Sequence, residues 1–252
     1  MMYNENEDNI HVGSAVKTVS GNMTPAKKCA SDGGYRTFDA MSESTWNLRM
    51  YDDIVQTLLM RCAALAGKKA LDLSLSSVLD VGCGPGGMSI ALIKQTPIFE
   101  ICLLDLREEA LKKASQRIKD ITPETNITIH NADVHDIPIE DNVFDLVISR
   151  GSQRFWKDQI RAFEEIRRVM KPHAIAYVGG GRGSQIFQKK RADGDDSWEP
   201  RHFACDSHDR RRLPSFKLPD RAYRQLFETW GDRYVIYSQK GDGHWYCWQK
   251  ND

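Results

Sequence analysis

Short apolar runs alternate with longer segments of helical spacing through the middle of the chain. The runs SVLDV, ICLLDL, ITIHNADV, FDLVIS and AIAYVGG have the length of β-strands. In the segments SIALIKQ, EEALKKASQRIKDI and KDQIRAFEEIRRVM, apolar residues recur every three or four positions, as on one face of a helix. Because each crossover must return the chain to the same edge, this alternation predicts a doubly wound α/β fold, with a mostly parallel sheet and helices on both faces.

Further elements flank this region. The apolar positions from Trp46 to Leu65 predict a helix that ends at Gly67. Near the other end, DRAYRQLFETWG predicts a helix capped by Gly231. The final run, RYVIYSQKGDGHWYCWQK, predicts two strands around a Gly-Asp-Gly turn. The predicted architecture is therefore a Rossmann-like mixed sheet that an antiparallel C-terminal hairpin closes.

The two remaining regions differ from this pattern. Residues 1–34 show neither strand nor helix periodicity and are predicted to form a mobile N-terminal arm. Residues 35–252 are predicted to form a single domain, in which the highly charged residues 185–217 are an insertion or a lid. The glycine-rich stretch VGGGRGS, which follows the AIAYV strand, indicates close backbone approach to a ligand or a hinge for that segment.

The composition narrows the classes of function. Lys plus Arg and Asp plus Glu both number 35, so no net charge draws the chain to nucleic acid or to anionic lipid. No apolar run approaches the roughly 20 residues of a membrane span, and the start of the chain does not resemble a secretory signal. The six cysteines have no metal-ligand spacing. We expect a cytoplasmic protein that does not contact membranes and holds no metal.

The loop after the first of these strands, in SSVLDVGCGPGGMS, satisfies two different patterns. Gly82, Gly84 and Gly87 match the dinucleotide fingerprint G-x-G-x-x-G, whereas Asp80 and the glycines that follow match D-x-G-x-G-x-G. In both, glycine allows positive φ and lets a ligand approach the backbone at the carboxyl end of the strand. Asp80 would repel a pyrophosphate, and Pro85 lacks the N–H that would bind one. These residues favour a cationic ligand, such as S-adenosylmethionine, over a dinucleotide.

The run VLDVGCGPG resembles the first motif of the class I S-adenosylmethionine-dependent methyltransferases, and the similarity continues in order through residues 78–180. LLDL, NADVHDIP and FDLVISRGSQRFW resemble the motifs of the next three strands. EEIRRVMKPHAIAYVGG resembles the helix, turn and fifth strand that usually contain LKPGG. His173 and Ala174 replace the two glycines of that turn, so the geometry of the turn is an open point.

The resemblance implies that S-adenosylmethionine is the cofactor and gives roles to particular residues. Asp105 would bind both ribose hydroxyls, Leu106 would lie against the adenine, Asp133 would meet the adenine amino group and Val134 would offer its backbone N–H. The full set of predicted cofactor-binding residues is Asp80, Gly82, Cys83, Gly84, Gly86, Asp105, Leu106, Asp133, Val134 and Arg150.

Methyl transfer is an in-line displacement, so alignment and the exclusion of water supply most of the rate. A general base is needed only if the acceptor arrives protonated. The candidates near the expected site are His135, Arg150, Asp136 and His173. Arg150 could instead orient an anionic substrate or bond a neighbouring helix.

Three residues are predicted to contact the substrate. Arg154 and Trp156 follow the fourth strand, where an acceptor is expected. The third is Tyr35, which could fold over the cofactor together with Phe38, or pack with it in the core.

The leading interpretation is a methyltransferase that acts on a small molecule. An RNA or protein methyltransferase that docks through the basic residues of 185–217 is the alternative, with nucleic acid the less favoured partner. Two further alternatives are an NAD(P)-dependent oxidoreductase and a non-catalytic cofactor binder. The motifs describe only the cofactor side, so the acceptor atom and the oligomeric state stay open.

Overall fold

The computed structural model describes residues 45–192, 218–239 and 241–252, together with residues 17–18 and 216. Of the predicted N-terminal arm it describes only Lys17–Thr18, a two-residue strand. Of the charged segment 185–217 it describes the helix Gln185–Ala192 and Phe216. The rest of both segments, with Tyr35 and Phe38, lies outside the described residues, and the predicted arm, single domain and lid stay predictions.

The described residues form eight strands and six α-helices. The strand Lys17–Thr18 and the helix Gln185–Ala192 were not predicted, and the other elements follow the predicted order. The strands are β1 (Lys17–Thr18), β2 (Ser77–Val81), β3 (Glu100–Asp105), β4 (Asn126–Asn131), β5 (Phe144–Arg150), β6 (Met170–Gly180), β7 (Arg233–Tyr237) and β8 (His244–Gln249). The helices are α1 (Thr45–Leu65), α2 (Gly87–Gln95), α3 (Glu108–Ile121), α4 (Gln159–Val169), α5 (Gln185–Ala192) and α6 (Asp220–Trp230).

All eight strands join one sheet in the order β1-β4-β3-β2-β5-β6-β8-β7. Strands β1 to β6 are mutually parallel, and β8 runs antiparallel to both β6 and β7. The predicted mixed sheet with its antiparallel C-terminal hairpin is therefore confirmed. The chain builds outward from β2 through β3 to β4 and then returns to β5 on the other side of β2. This switch point is where open α/β sheets bind ligands.

Each face of the sheet carries its own core. Helices α1, α2 and α3 pack on one face, against residues such as Val78, Leu103 and Tyr177. Helices α4 and α6 pack on the other face, around a group of contacting rings that includes Phe163 and Trp248, which stack with their centroids 5.0 Å apart. Because both faces are covered, a polar residue inside a central strand is buried whichever way its side chain points.

The predicted helix ends are confirmed, and the open point about the fifth-strand turn is resolved. Gly67 and Gly231 adopt positive φ, +68° and +69°, directly after α1 and α6. His173 has φ +63° and so adopts the left-handed conformation that favours glycine. Histidine is one of the residues that tolerate this region, so the turn keeps its course. No helix in the described ranges is long and apolar enough to cross a membrane.

The glycines after β6 lie close to the chain itself. A β-carbon on Gly181 would lie 2.7 Å from the carbonyl oxygen of Asp242, and one on Gly243 would lie 2.3 Å from the carbonyl oxygen of Gly180. The Gly-Asp-Gly turn between β7 and β8 therefore packs backbone to backbone on the loop after β6. The close approach that the sequence indicated is made to this turn, which corrects the expectation of a ligand there.

Candidate functional site

The carboxyl edge of the sheet divides into two halves that meet at the switch point. We call the ends of β2, β3 and β4, with residues 80–87, 105–107 and 133–135, the glycine-loop half. The ends of β5 and β6 and the start of β8, with residues 150–153, 180–184 and 244, form the hairpin half. The predicted cofactor-binding residues other than Arg150 all fall in the glycine-loop half.

The glycine loop turns sharply as β2 ends. Its three glycines, Gly82, Gly84 and Gly86, have φ of +65°, +52° and +80°. The N–H groups of Gly82 and Cys83 both donate to the carbonyl oxygen of Leu104, at 2.7 and 3.1 Å, which fixes the loop against the end of β3. The fingerprint glycines thus occupy conformations that other residues rarely adopt.

The three loop glycines have different neighbours. A β-carbon on Gly82 would collide with Ser152 at 2.4 Å, and one on Gly86 would lie 3.0 Å from Ala114 of α3. At Gly84 an added β-carbon would meet nothing within 4 Å. Gly84 is therefore the loop glycine that leaves room for a ligand. Gly82 and Gly86 are also required by packing inside the protein, and their role as cofactor-binding residues stays a prediction.

Asp105 joins the tip of β3 to the glycine loop. One of its carboxylate oxygens accepts the N–H of Gly84 at 2.8 Å, and the other accepts the N–H of Arg107 at 2.9 Å. The next side chain, Leu106, is 58% exposed. An ionised carboxylate only accepts hydrogen bonds, which is what the hydroxyl groups of a ribose need, and Nε of Arg107 lies 3.8 Å from the same carboxylate. The residues therefore fit an adenosyl group, with Asp105 for the ribose, Leu106 for the base and the space beside Gly84 for close approach.

Asp80 does not face the cleft. Its side chain lies in the core, only 1% of the residue is exposed, and its carboxylate accepts the hydroxyl of Ser89 in α2 at 2.6 Å. Burial, with a smaller contribution from the charge of Asp105, raises the pKa of Asp80 to about 7. This corrects the expectation that the charge of Asp80 selects the ligand. Asp105 and Asp133 supply the carboxylates that lie at the surface of this half.

The Cys83 side chain is also buried, 8% exposed, and its thiol lies near the carbonyl oxygen of Gly84 at 3.4 Å. Burial raises its pKa well above the usual range for a thiol. The Cys83 side chain therefore belongs to the core, and the place of Cys83 among the cofactor-binding residues stays a prediction.

His135 is not available as a base. Its Nδ1 bonds the carboxylate of Asp133, and its Nε2 accepts the backbone N–H of Asp158 at 3.2 Å. Both ring nitrogens thus have partners within the chain, which corrects its prediction as a catalytic candidate. Asp133 is shared between this ring and solvent. The Val134 side chain is 5% exposed and packs in the core, so only its backbone could reach a ligand.

Arg150 connects three segments of the chain. Its guanidinium donates to the hydroxyl of Tyr51 and to the carbonyl oxygen of Gly181, both at 3.0 Å, and lies 4.8 Å from the centre of the Tyr51 ring. It therefore holds α1 against the loop after β6. This corrects its prediction as a cofactor contact or catalytic residue and matches the alternative that it bonds a neighbouring helix. Asp53 of α1 adds to the same contact by accepting the hydroxyl of Ser184 at 2.9 Å.

The remaining candidate residues lie in different parts of the structure. Trp156 is 6% exposed and packs edge to face on Phe163, so it belongs to the core, which corrects its prediction as a substrate contact. Arg154 is exposed and lies 4.6 Å from the ring of Phe155, and it stays a predicted substrate residue. His173 lies at the opposite edge of the sheet, 3.3 Å from Asp252. Among the described residues, no group of three or more His, Cys, Asp or Glu side chains is arranged to hold a metal ion.

Several residues of the edge were missed from the sequence. Ser152 donates to the carbonyl oxygen of Val81 at 3.1 Å and so fixes the turn after β5 to the end of β2. The ring of Tyr51 lies where a β-carbon on Gly87 would be, 2.4 Å from that position. The only local signal was Gly87, the last glycine of the GPGG run, because both contacts join positions that lie tens of residues apart along the chain.

The hairpin half contains a polar cluster that the sequence did not indicate. Nε2 of His244 lies 2.8 Å from a carboxylate oxygen of Asp220 in α6, and the hydroxyl of Tyr246 donates to the same oxygen at 3.2 Å. Beside them, the hydroxyl of Tyr223 accepts from Gln153 at 2.9 Å. Burial raises the pKa of Tyr223 to about 12, so this hydroxyl remains protonated. The cluster joins the turn after β5 to α6 and β8.

Comparison with known proteins agrees with this geometry. The family described as "Methyltransferase domain" matches residues 78–173, which run from β2 to the turn within β6. A demethylmenaquinone methyltransferase of Staphylococcus carnosus is 36% identical over 102 residues, which cover 40% of this chain and 41% of the relative. A mitochondrial arginine-hydroxylase of Mus musculus is 37% identical over 113 residues, which cover 45% of this chain and 31% of the relative. The chain thus spans less than half the length of these relatives.

One solved structure resembles nearly the whole chain. It is that of a candidate S-adenosylmethionine-dependent methyltransferase from Methanococcus maripaludis, 29% identical, with a TM-score of 0.66. The match covers 91% of this chain and 98% of that one.

Proposed function

We propose that this chain, whose residues 78–173 match the family described as "Methyltransferase domain", is a class I S-adenosylmethionine-dependent methyltransferase that transfers the methyl group of S-adenosylmethionine to a small-molecule acceptor. The observation that carries the proposal is the open space at Gly84, which lies between the Asp105 carboxylate and the exposed Leu106. A dinucleotide would need N–H donors for its pyrophosphate at this loop. Here the N–H groups of Gly82 and Cys83 already bond Leu104, and that of Gly84 bonds Asp105.

S-adenosylmethionine, when bound, supplies a methyl group on a positively charged sulfur that needs no further activation. The chain's residues would bind and align the reactants. Asp105 would accept the ribose hydroxyls, Leu106 would cover one face of the base, and the turn from Arg150 to Ser152 would form the floor between cofactor and acceptor. Arg150 would keep α1 over this floor and so limit the access of water.

Relatives support the small-molecule acceptor. The Staphylococcus carnosus relative is named for a quinone substrate, and the polar and aromatic side chains of the hairpin half suit an acceptor that carries a ring and a hydroxyl group. The RNA or protein alternative rests on basic residues of the 185–217 segment, of which Lys189 and Lys190 are exposed on α5. Because the arginine-hydroxylase contains a similar domain, transfer itself must be measured.

The experiment is incubation of the purified chain with methyl-labelled S-adenosylmethionine and, in parallel, a small-molecule cell extract, mixed tRNA or denatured total protein. We expect label in the small-molecule fraction alone. Label in tRNA or in protein would replace the small-molecule proposal with the corresponding alternative. Tight S-adenosylhomocysteine binding without transfer to any fraction would indicate a cofactor binder. The Gly84→Val variant is the control for transfer that depends on the glycine loop.

The cytoplasmic location predicted from the sequence is part of the same proposal. The described cysteines, Cys62, Cys83, Cys102 and Cys247, are all free thiols, which suits a reducing compartment. Fractionation of cells that express the chain from its own promoter would test it, with the cytosolic fraction expected to contain the protein.

A further inference from the structure

The general base that the sequence predicted is missing from the places where it was expected. The His135 ring has partners on both nitrogens, the Arg150 guanidinium bonds Tyr51 and Gly181, and His173 lies at the far edge of the sheet. An acceptor that arrives protonated would still need a group to receive its proton. The hairpin half contains one histidine among the described residues, His244, and its position carries the following argument.

His244 lies on the acceptor side of the carboxyl edge. It pairs with Gly180, the last residue of β6, across the antiparallel ladder. A β-carbon on Gly180 would lie 3.6 Å from Gly151, which directly follows β5. Neighbouring strands are about 4.8 Å apart, and β8 lies two strands from β5. The backbone of His244 is therefore about 10 Å from the tip of β5. Its side chain and a small acceptor can together span that distance.

The carboxylate of Asp220 lies beside one nitrogen of the His244 ring. Nε2 is buried and lies 2.8 Å from Asp220 without full hydrogen-bond alignment, which is common for catalytic pairs that tighten when substrate binds. Within the described residues, no hydrogen bond reaches Nδ1, and the side chain is 34% exposed. The ring therefore has one nitrogen beside a partly exposed acid and the other available to a substrate. This is the arrangement of a base and the residue that orients it.

We propose that His244, positioned by Asp220, is the general base that deprotonates the acceptor, and that the acceptor is therefore a protic group such as a hydroxyl. The inference rests on the proposed function. The acceptor O–H gives its proton to Nδ1, and the released electron pair forms the bond to the methyl carbon. The carbon–sulfur bond breaks with its electron pair on sulfur, which leaves the neutral thioether. The imidazolium then passes its proton to water.

The titratable groups near His244 come from α6 and β8. Asp220 faces it from α6, and Tyr246 faces it from β8, with the ring centres of His244 and Tyr246 5.1 Å apart. Tyr223 of α6 lies behind Tyr246, with those two ring centres 4.2 Å apart. Burial raises the pKa of Tyr246 far above the working range, so this hydroxyl stays protonated. The described titratable groups near His244 are therefore one carboxylate and two tyrosine hydroxyls, and both hydroxyls stay protonated across the pH range of the test.

The test compares His244→Gln with the matched control His173→Asn. His173 also lies beside a carboxylate, that of Asp252, but at the opposite edge of the sheet. The rate of label transfer to the small-molecule extract is measured from pH 5 to 9. Binding of S-adenosylhomocysteine is measured by calorimetry. We expect His244→Gln to lose at least about 100-fold in rate and to lose the fall in rate at acid pH. The His173→Asn variant should match the wild-type chain in both.

The affinity for S-adenosylhomocysteine separates this inference from the proposed function. It should stay within twofold in His244→Gln, because the residue lies outside the glycine-loop half. A rate within threefold of wild type, or an equal loss of affinity and rate, would overturn the role of His244. Failure of the wild-type chain itself to bind S-adenosylhomocysteine would overturn the proposed function instead.

Asp220 gives a second, independent measurement. Asp220→Asn should lower kcat by about tenfold or more with little change in KM, because it removes the charge that orients and stabilises the protonated ring. Asp220→Glu should recover part of that loss. A KM effect alone, or no recovery by glutamate, would show that Asp220 has only a structural role and would contradict the proposed pair.

Discussion

The two halves of the carboxyl edge are built in different ways. In the glycine-loop half, the loop after β2 and the tip of β3 supply Gly84, Asp105 and Leu106 within a stretch of 27 consecutive positions of the sequence (80–106). In the hairpin half, Arg150, Gly181, Asp220 and His244 come from four separate segments that meet only through the sheet and α6. The local backbone conformation sets the form of the glycine-loop half. The form of the hairpin half depends on how elements from distant parts of the sequence pack together. We infer that substitutions can separate cofactor binding from acceptor chemistry.

The largest expected effect is at the loop glycine. Gly84→Val should lower the affinity for S-adenosylhomocysteine by more than about 100-fold, because the side chain fills the open space and must adopt positive φ. Gly67→Val is the matched control, since Gly67 also has positive φ, +68°, and nothing within 4 Å of an added β-carbon. Both variants should lose roughly 1–2 kcal/mol in free energy of unfolding from backbone strain. Equal affinities in the two variants would show that Gly84 does not face the ligand.

The next effect is at the tip of β3. Asp105→Ala should weaken S-adenosylhomocysteine binding by roughly 1–3 kcal/mol, because the ribose hydroxyls lose their acceptor. Asp72→Ala is the control, since Asp72 likewise accepts the backbone N–H two residues on, from Ser74 at 3.0 Å, but lies away from the edge. Calorimetric titration at one pH measures both. An unchanged affinity in Asp105→Ala would remove the carboxylate from the cofactor site.

A smaller effect is expected on the other side of the switch point. Gly151 has φ +79° and nothing within 4 Å of an added β-carbon, like Gly84, but it follows β5. Gly151→Val should lower the rate of methyl transfer about tenfold by occupying acceptor space, with affinity for S-adenosylhomocysteine changed less than threefold. A loss of affinity as large as that in Gly84→Val would mean that the two halves are not separable.

The smallest effect concerns stability. The pKa of Asp80 is raised to about 7 in the folded chain, above its usual 3.8. The stability that the neutral acid contributes is therefore full below pH 4 and is lost as the pH rises to 7. The free energy of unfolding of wild type, relative to Asp80→Asn, should fall by at least about 1 kcal/mol between pH 4.5 and 7.5. Urea unfolding measures the difference, and a constant difference would contradict the burial of an acid at this position.

The comparison also explains what the sequence could predict. The strands, helices and hairpin were predicted correctly because periodicity and glycine signals are local, and His173 kept a glycine-like turn that its identity had left open. Asp80 was misplaced because the motif was interpreted as a surface loop. It lies inside a strand covered on both faces, where an acid is buried against Ser89.

The hairpin half was not predicted because its contacts have no local signature. His244 was part of an ordinary strand pattern and Asp220 was the first residue of an ordinary helix. They meet because β8 pairs with β6 in one particular register and α6 packs on the same face. Arg150 and Trp156 were correctly placed near the end of β5, but their side chains point into contacts with Tyr51 and Phe163 that only the packed structure defines.

The most direct test of the central claim is calorimetric titration of the wild-type chain with S-adenosylhomocysteine and, separately, with NADH. If the space at Gly84 and the carboxylate of Asp105 hold an adenosyl amino acid, S-adenosylhomocysteine binds with one site per chain and NADH gives no binding heat at the same concentration. Tight binding of NADH, with none of S-adenosylhomocysteine, would contradict the account.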